Sequence, residues 1–273
     1  MSLRIQNNVE AFNAHRQLVG TGREMSKSME RLASGYRINR AADDAAGLAI
    51  SEKLRSQIGG VAQAQRNAQD AVSLVQTAEG ALNEVHSMLQ RVRDLAVQYN
   101  NGTLATADKA AITAEVAQLC SEISKIGNDT KFNGIALLSG SSSITFQSGA
   151  EDGQSISLSG VGLFGGGATF EVDSNIFSWA ATGTVTLQSI DDAIANVSSV
   201  RGDFGATQNR LEHTLNNLAT YQENLQSSES RIRDVDMAEE MVQFTKLQIL
   251  QQAGTSMLAQ ANQAPQSVLS LLR

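Results

Sequence analysis

The chain is poor in residues that cross-link or punctuate a compact fold. Its 273 residues include one cysteine, Cys120, and one proline, Pro265. A single cysteine excludes a framework of disulfides within the chain. Aromatic residues make up only 4% of the chain, less than large globular cores usually carry. Few aromatics, almost no proline and abundant Ala, Gln, Asn and Ser are typical of long, thin helical packing.

Positive charge and long apolar runs are also scarce. The net charge of −7 argues against nucleic acid as the main partner, because nucleic-acid-binding domains are usually basic. No run of about 20 apolar residues occurs, so the sequence predicts no membrane span. Residues 1–12 lack the apolar segment of a cleavable Sec-type signal. Composition alone therefore predicts a cytoplasmic protein, an inference that fails if the chain is exported by another route.

The strongest pattern that is present is a seven-residue repeat between residues 190 and 232. A helix that is apolar at every seventh position keeps one side facing a partner. The companion positions are less regular, and an ordinary bundle helix is the alternative interpretation. The repeat, called the seam below, consists of Ile190, Val197, Phe204, Leu211, Leu218, Leu225 and Ile232.

Four further helices or helical stretches follow from periodicity and from end signals. Residues 1–35 repeat Ile5, Phe12 and Val19, and the repeat then slips by one residue to Leu18, Met25 and Leu32. Asp43 and Asp44 open a helix that stops at Asn100-Asn101-Gly102, and another covers about 106–126. Ser189 is expected to cap the helix that carries the seam, and a last helix runs from Asp236 to near Pro265.

Residues 139–188 have a different composition, with no Lys or Arg and many glycines. Short alternating runs at 144–146 and 156–158 predict small β-hairpins, which we expect to pack locally. The predicted fold class is therefore mainly α. We expect a long, coiled-coil-like helical bundle in the form of a rod, with a small β-hairpin insert and with the N- and C-terminal helices paired.

No pattern for catalysis, a metal or a cofactor emerges. His15, His86 and His213 lie far apart and match no zinc-peptidase motif, so each is interpreted as a solvated helix residue. Cys120 has no neighbouring histidine or second cysteine, which indicates a packed or exposed thiol rather than a nucleophile. Asp43 and Asp44 are explained by helix capping. The sequence predicts a structural or binding protein, not an enzyme.

Long stretches at both ends resemble the bacterial flagellins. Residues 34–51 read SGYRINRAADDAAGLAIS and are similar to the N-terminal signature of that family. Residues 248–256 read QILQQAGTS, and Met257 stands where the family often has Val. The ending 268–273 is also similar, and Asn7, 66–67 and 76–80 fit as well. The resemblance covers about 1–138 and 186–273.

The resemblance implies a filament subunit with no cofactor. Residues 1–43 and 235–273 would form a terminal coiled-coil domain in the filament core. Residues 44–234 would form a helical rod domain that includes the β insert at about 139–188, with no large outer domain. The expected polymer-core contacts are Ile5, Phe12, Leu18, Met25, Leu32, Phe244, Leu247, Leu250, Leu258, Leu269 and Leu272.

The resemblance also implies partners and a location. The chain would be exported unfolded through the flagellar secretion channel, and would reside in the extracellular flagellum for swimming motility. Its partners would be further copies of itself, a secretion chaperone, the filament cap and hook-junction proteins. In animal hosts the innate flagellin receptor would bind a patch in 90–97 and at Glu115. The implied contacts are Gln90, Arg91, Asp94, Leu95 and Glu115, with Asp94 standing where the strongly recognised members have Glu.

Two other classes remain as alternatives. A hook-filament junction protein, or another secreted coiled-coil protein, would share the terminal similarity in weaker form. An enzyme with a peptidase insert would need a ligand set that the short middle of the chain lacks. For Leu95, simple packing in the core is the alternative to receptor binding.

Overall fold

The protein is described by a computed structural model that covers residues 8–139, 143–158 and 186–271. The order of elements is α1 (Val9–Ser34), α2 (Ala45–Tyr99), α3 (Thr106–Asp129), β1 (Lys131–Phe132), β2 (Ile135–Ala136), β3 (Ile144–Gln147), β4 (Ser155–Leu158), α4 (Leu187–Arg233) and α5 (Met237–Leu271). The predicted fold class, mainly α with a small β-hairpin insert and paired terminal helices, is confirmed.

Polar caps and a glycine set the ends of the first two helices. The Asn8 side chain accepts a hydrogen bond from the Ala11 N–H, and Gly35 ends α1 in the left-handed conformation, with φ of 76°. A residue with a Cβ is strained in that conformation, so glycine is favoured there. At the start of α2, Asp44 Oδ1 accepts from the Gly47 N–H at 2.9 Å. Both ends of α2 lie where the sequence predicts them.

Asp43 does not cap α2, although the sequence predicts capping by both aspartates. Its Oδ2 accepts hydrogen bonds from the backbone N–H groups of Asn39 and Arg40, at 3.3 and 3.1 Å. Its Oδ1 lies 2.7 Å from Lys27 Nζ on α1. Asp43 therefore closes the turn that precedes α2, because only Asp44 occupies the capping position.

The β segments form two separate antiparallel hairpins. In the predicted hairpin, Ile144 pairs with Leu158 and Gln147 with Ser155. The β1–β2 hairpin was not predicted, because each strand has only two residues and shows no alternation. Its turn residues are Asn133 and Gly134, both with positive φ. The predicted local packing of residues 159–185 falls outside the described residues.

The seam on α4 is buried except at its last residue, Ile232, which is half-buried. Ile190, Val197, Phe204 and Leu211 lie in the hydrophobic core, and Leu218 and Leu225 are also buried. The prediction that Ser189 caps this helix is wrong. The helix begins at Leu187, and the Ser189 hydroxyl donates to the Thr186 carbonyl at 2.8 Å from within the first turn.

Two other predicted helix ends are wrong. Helix α3 extends to Asp129, past Gly127, whose position is buried. Helix α5 continues to Leu271, past Pro265. Proline removes one backbone donor and disfavours a helix interior, but the remaining hydrogen bonds of a long helix can carry it through.

The contacts divide the chain into two units. The terminal unit contains Met1–Gln57 and Asn224–Arg273, and the middle unit is Ile58–Glu223. In the middle unit one hydrophobic cluster joins α2, α3, β4 and α4, with Leu82, Val85 and Leu89 completely buried. None of the described helices is long and apolar enough to cross a membrane.

Candidate functional site

The terminal unit is built around the terminal helix pair, α1 and α5, which lie antiparallel. At one end, Asn8 Nδ2 donates to the Ala261 carbonyl at 2.7 Å. At the other end, Arg31 Nη1 lies 3.4 Å from Glu240 Oε2. Between these two ends, Leu18 packs closely against Gly254. A Cβ atom added to Gly254 would lie only 3.2 Å from the Cδ1 methyl group of Leu18. The two chain ends therefore pair along nearly the whole of α1.

The face of α1 that meets α5 keeps a single phase. Its residues are half-buried or buried and alternate in steps of three and four: Ala11, Ala14, Leu18, Thr21, Met25, Ser28 and Leu32. The predicted slip of the repeat is therefore wrong. Phe12 is 70% exposed and Val19 is also exposed, since the smaller residues Ala11 and Ala14 take the positions facing α5. Small residues allow two helices to approach closely.

Helix α5 is apolar on two sides, and α1 covers only one of them. The covered side carries Glu240, Phe244, Leu247, Gly254 and Leu258, all buried or half-buried. At about 100° per residue, Val242 and Ile249 lie on the opposite side, flanked by Leu250 and Met257. These four residues, called the outer stripe, are exposed, with Val242 at 69% and Ile249 at 66%.

The predicted polymer-core residues therefore fall into distinct groups. Leu18, Met25, Leu32, Phe244 and Leu258 are half-buried and Leu247 is buried, all six in the terminal helix pair. Phe12 and Leu250 are exposed. Ile5 and Leu272, and the side chain of Leu269, lie outside the described residues. Val242 and Ile249 are exposed apolar residues that the prediction did not include, although their spacing of seven residues is visible in the sequence.

A second arrangement in the terminal unit connects two turns, the one that follows α1 and the one that precedes α5. Tyr36 forms an antiparallel bridge with Asp234, and the Val235 N–H donates to the Gly35 carbonyl at 3.0 Å. The Arg233 guanidinium lies 4.8 Å from the centre of the Tyr36 ring and 2.8 Å from Glu52 Oε1. Cation–π contact and ion pairing together hold Arg233 in place, with its side chain 13% exposed.

Electrostatics reinforce the turn before α2. The hydrogen bond from Lys27, with those from the Arg40 and Asn39 backbone, lowers the pKa of Asp43 to about 2. Each of these donors favours the charged carboxylate. The Arg40 guanidinium in turn lies 2.9 Å from Glu30 Oε1, which raises the pKa of Arg40. The turn is thus held to α1 by two ion pairs.

The predicted receptor residues lie on α2 and α3 in the middle unit. Arg91 Nη2 on α2 and Glu115 Oε1 on α3 are 2.7 Å apart, and both side chains are about half exposed. Gln90 and Asp94 are exposed beside them. Leu95, in contrast, is 2% exposed and packs in the hydrophobic cluster. Leu95 presents no surface to a partner in this conformation, so the packing alternative is the better account of it.

The remaining candidate groups do not converge on a reactive site. Within the described ranges, no three His, Cys, Asp or Glu side chains lie close enough together to hold a metal ion. Cys120 is buried in the middle unit, and burial raises the pKa of its thiol to about 11. A buried thiol with a raised pKa is a poor nucleophile near neutral pH.

Comparison with known proteins gives matches over most of the chain. A family model described as the bacterial flagellin N-terminal helical region matches residues 5–143, and one described as the C-terminal helical region matches 187–272. The crystal structure of Bacillus cereus flagellin is 32% identical, with a TM-score of 0.46, and the match covers 56% of this chain and 88% of that one.

Relatives match along their full lengths. The flagellin of Halalkalibacterium halodurans is 50% identical, with 98% of this chain and 99% of the relative covered. The flagellin of Bacillus subtilis is 47% identical, with 99% and 100% covered. The flagellar filament 33 kDa core protein of Treponema phagedenis is 45% identical, with 98% and 99% covered. The chain therefore belongs to the bacterial flagellins, a family of structural proteins that polymerise into the flagellar filament.

Proposed function

We propose that this flagellin is exported and adds to an extracellular filament that drives swimming, and that the outer stripe of α5 is the surface on which neighbouring copies pack. The observation that carries the proposal is the second apolar side of α5, which α1 leaves uncovered. Contiguous apolar residues at a surface indicate an interaction site. A second copy is the natural occupant, because members of the family assemble with themselves.

The arrangement separates two roles within one helix. Leu247 and its neighbours on the covered side hold α5 to α1 within one chain. Val242, Ile249 and Met257 on the outer stripe are available to another chain. A change on the outer stripe should therefore impair assembly while leaving the terminal helix pair intact. This proposal includes residues 1–43 and 235–273 as the filament-core domain and 44–234 as the helical rod domain.

The test is Ile249→Asp, with Gln248→Asp as the matched control. Both positions are exposed on α5, but Gln248 lies at least about 100° around the helix from every residue of the outer stripe. Purified variants are added to short filament seeds, and growth is followed by light scattering and negative-stain microscopy. We expect Ile249→Asp to stop growth and Gln248→Asp to allow it, with equal helix content by circular dichroism. Filament growth at the native rate by Ile249→Asp would refute the role of the stripe.

The proposed partners in export and assembly are a secretion chaperone that grips α5, the filament cap and the hook-junction proteins. An apolar outer stripe supports the chaperone proposal, because such a surface needs cover before assembly. Co-purification of the chain with the chaperone tests this step. We expect Ile249→Asp to weaken the complex, and an unchanged complex would place the chaperone elsewhere.

We also propose that the middle unit is a ligand of the animal innate flagellin receptor. The Arg91–Glu115 ion pair supports this, because it fixes two exposed predicted contacts from separate helices side by side. Arginine is a common source of binding energy in interfaces. Gln90 and Asp94 extend the surface, while the buried Leu95 is removed from the proposed contact set.

Arg91→Ala tests the receptor proposal, with Arg93→Ala as its control. Arg93 is two positions away on α2 and also forms a cross-helix ion pair, 2.6 Å from Asp191. Loss of an exposed ion pair alone changes stability by at most about 1 kcal/mol, so both variants should fold. In a receptor-reporter assay we expect Arg91→Ala to signal more weakly than Arg93→Ala. Equal signalling by the two variants would contradict the proposal that Arg91 contacts the receptor.

A further inference from the structure

Two Asn-Gly pairs occur in the described residues, and the structure holds them differently. Asparagine followed by glycine is prone to ring closure, since the backbone nitrogen of glycine reaches the side-chain carbonyl carbon with no Cβ in the way. Asn101-Gly102 lies in the connection between α2 and α3. Asn133-Gly134 forms the turn of the β1–β2 hairpin. The chain therefore contains the same reactive dipeptide in two conformations.

Asn101-Gly102 lies in an open turn, across which the Asn101 carbonyl accepts only a long hydrogen bond, 3.5 Å from the Leu104 nitrogen. Asn101 and Gly102 are both exposed. Asn101 Oδ1 accepts a hydrogen bond from the Thr103 N–H at 3.2 Å, which folds the carboxamide back over the peptide that contains the Gly102 nitrogen. Among the described groups, no acceptor binds the Gly102 N–H. The nitrogen is thus unengaged, and the Thr103 N–H already contacts the oxygen on which negative charge would develop.

The hairpin restrains the second pair. Asn133 has φ of 48° and Gly134 has φ of 82°, as in a two-residue hairpin turn. The residues on either side, Phe132 and Ile135, are paired with each other across the strands. The rotation that brings the Gly134 nitrogen to the Asn133 side chain must therefore distort this pairing. No hydrogen bond to Asn133 Oδ1 is made within the described part of the chain.

We propose that Asn101 is a site of spontaneous deamidation in the folded protein and that Asn133 is protected by its hairpin. The Gly102 nitrogen loses its proton to solvent and attacks Asn101 Cγ, the Cγ–Nδ2 bond breaks, and ammonia leaves with a proton from solvent. Water then adds to either carbonyl of the five-membered imide and opens it. The products are aspartate or isoaspartate at residue 101, and no oxidant or reductant is involved.

The modification changes the α2–α3 connection in two ways. It adds one negative charge a few residues before the first turn of α3, where Asp108 already lies. In the isoaspartyl product it also lengthens the backbone by one carbon, which alters the path from Tyr99 to Thr106. The fraction of chains modified at residue 101 thus increases with the time since their synthesis.

The test follows Asn101 and Asn133 in the same full-length chain. The protein is incubated in warm, mildly alkaline buffer, and deamidation at each site is measured by peptide mass spectrometry with isoaspartate detection. We expect Asn101 to react at least about tenfold faster than Asn133, a difference of about 1.4 kcal/mol in barrier. In denaturant the two sites should react at similar rates, because the restraint on Asn133 is then removed.

Gly102→Ala is the decisive variant. An added Cβ at Gly102 meets no atom within 4 Å, and its φ is not in the left-handed region, so the fold should be kept. We expect this variant to lose most of the reaction at residue 101 and to leave Asn133 unchanged. Folded-state deamidation of Asn133 as fast as that of Asn101, or an unaltered rate in Gly102→Ala, would overturn the proposal.

Discussion

The terminal unit and the middle unit use similar helices but cover them to different extents. In the middle unit, helices α2, α3 and α4 and strand β4 surround one shared cluster, with Leu82, Val85 and Leu89 wholly buried. Among described residues of the terminal unit, the buried apolar side chains are Ile38, Leu225 and Leu247. Helical pattern alone does not make a stable unit, because stability follows from how many sides of each helix are packed.

The comparison bears on the proposed assembly of the chain. A unit with a complete core needs no further partner to bury its apolar side chains. A unit that leaves the outer stripe exposed is completed by packing against other copies, as proposed above. The same substitution should therefore have different effects in the two units. Leu→Ala and Asp→Asn changes compare the units directly, and a pair of Gly→Ala changes tests packing within the middle unit.

The largest effect is expected for Leu89→Ala in the middle unit. Leu89 is completely buried among helices on several sides, so the cavity cannot collapse easily. We expect a loss of about 4–5 kcal/mol in the free energy of unfolding. Urea unfolding followed by circular dichroism measures it. A loss below about 2 kcal/mol would mean that the cluster rearranges to fill the space.

The same chemical change in the terminal unit, Leu247→Ala, should cost less. Leu247 is 3% exposed but faces a single helix, α1, and the two helices can close the gap. We expect a loss near 2 kcal/mol, the low end for such a change. Amide hydrogen exchange in α1 and α5 measures it. If this variant costs as much as Leu89→Ala, the terminal helix pair is packed as well as the middle unit.

A smaller and pH-dependent effect is expected for Asp43→Asn. The pKa of Asp43 is lowered in the folded chain, so the ionised group stabilises the fold above the ordinary carboxyl pKa of 3.8. That stabilisation is lost as the pH falls from about 4 to about 2. Since Lys27 is about half exposed, we expect only about 1 kcal/mol at neutral pH.

Amide exchange at Arg40 and Asn39 in the native chain and in Asp43→Asn measures this contribution. The two chains should differ at neutral pH and converge toward pH 2. Asp70→Asn, at an exposed position in the middle unit, is the control and should show no such convergence. Parallel pH profiles for Asp43→Asn and the native chain would contradict the assignment.

The smallest effects concern two adjacent glycines in α2. At Gly59 an added Cβ meets nothing within 4 Å, so Gly59→Ala should stabilise the chain by about 0.5–1 kcal/mol through helix propensity. At Gly60 an added Cβ would lie 2.9 Å from Ala150 Cβ, in the turn between β3 and β4. Gly60→Ala should therefore lose this gain. In Gly60→Ala, amide hydrogen exchange at Ser148, whose N–H donates to the Gln154 carbonyl, should be faster. Equal stabilisation by both variants would show that the turn moves aside.

The sequence predicts best where a local signal coincides with a long periodic pattern. Helix α2 begins after Asp44 and ends before Asn100-Asn101-Gly102, and the α4 seam is buried, because each depends on neighbouring residues and on one period. The β1–β2 hairpin was missed since its only signal is Asn133-Gly134. The helix end predicted near Pro265 is wrong, because proline disfavours a helix interior without excluding it.

The covered side of each helix was harder to predict than the extent of the helix. The seven-residue spacing of Phe12 and Val19 does not identify the side of α1 that faces α5, which Ala11, Ala14 and Leu18 occupy. The resemblance implies that Leu95 contacts the receptor, whereas Leu95 is 2% exposed and packs in the cluster. The polymer and receptor contacts themselves stay predictions. Which side of a correctly predicted helix is covered depends on tertiary packing, and local sequence does not show it.

The bridge between Tyr36 and Asp234 has a consequence for how the chain ends find each other. Helices α1 and α5 belong to opposite ends of the sequence, and closing so long a loop of free chain is entropically unfavourable. Once Gly35 and Val235 are hydrogen-bonded, however, α1 and α5 leave the same point. Their pairing then resembles the closing of a helical hairpin, with the high effective concentration of a short tether.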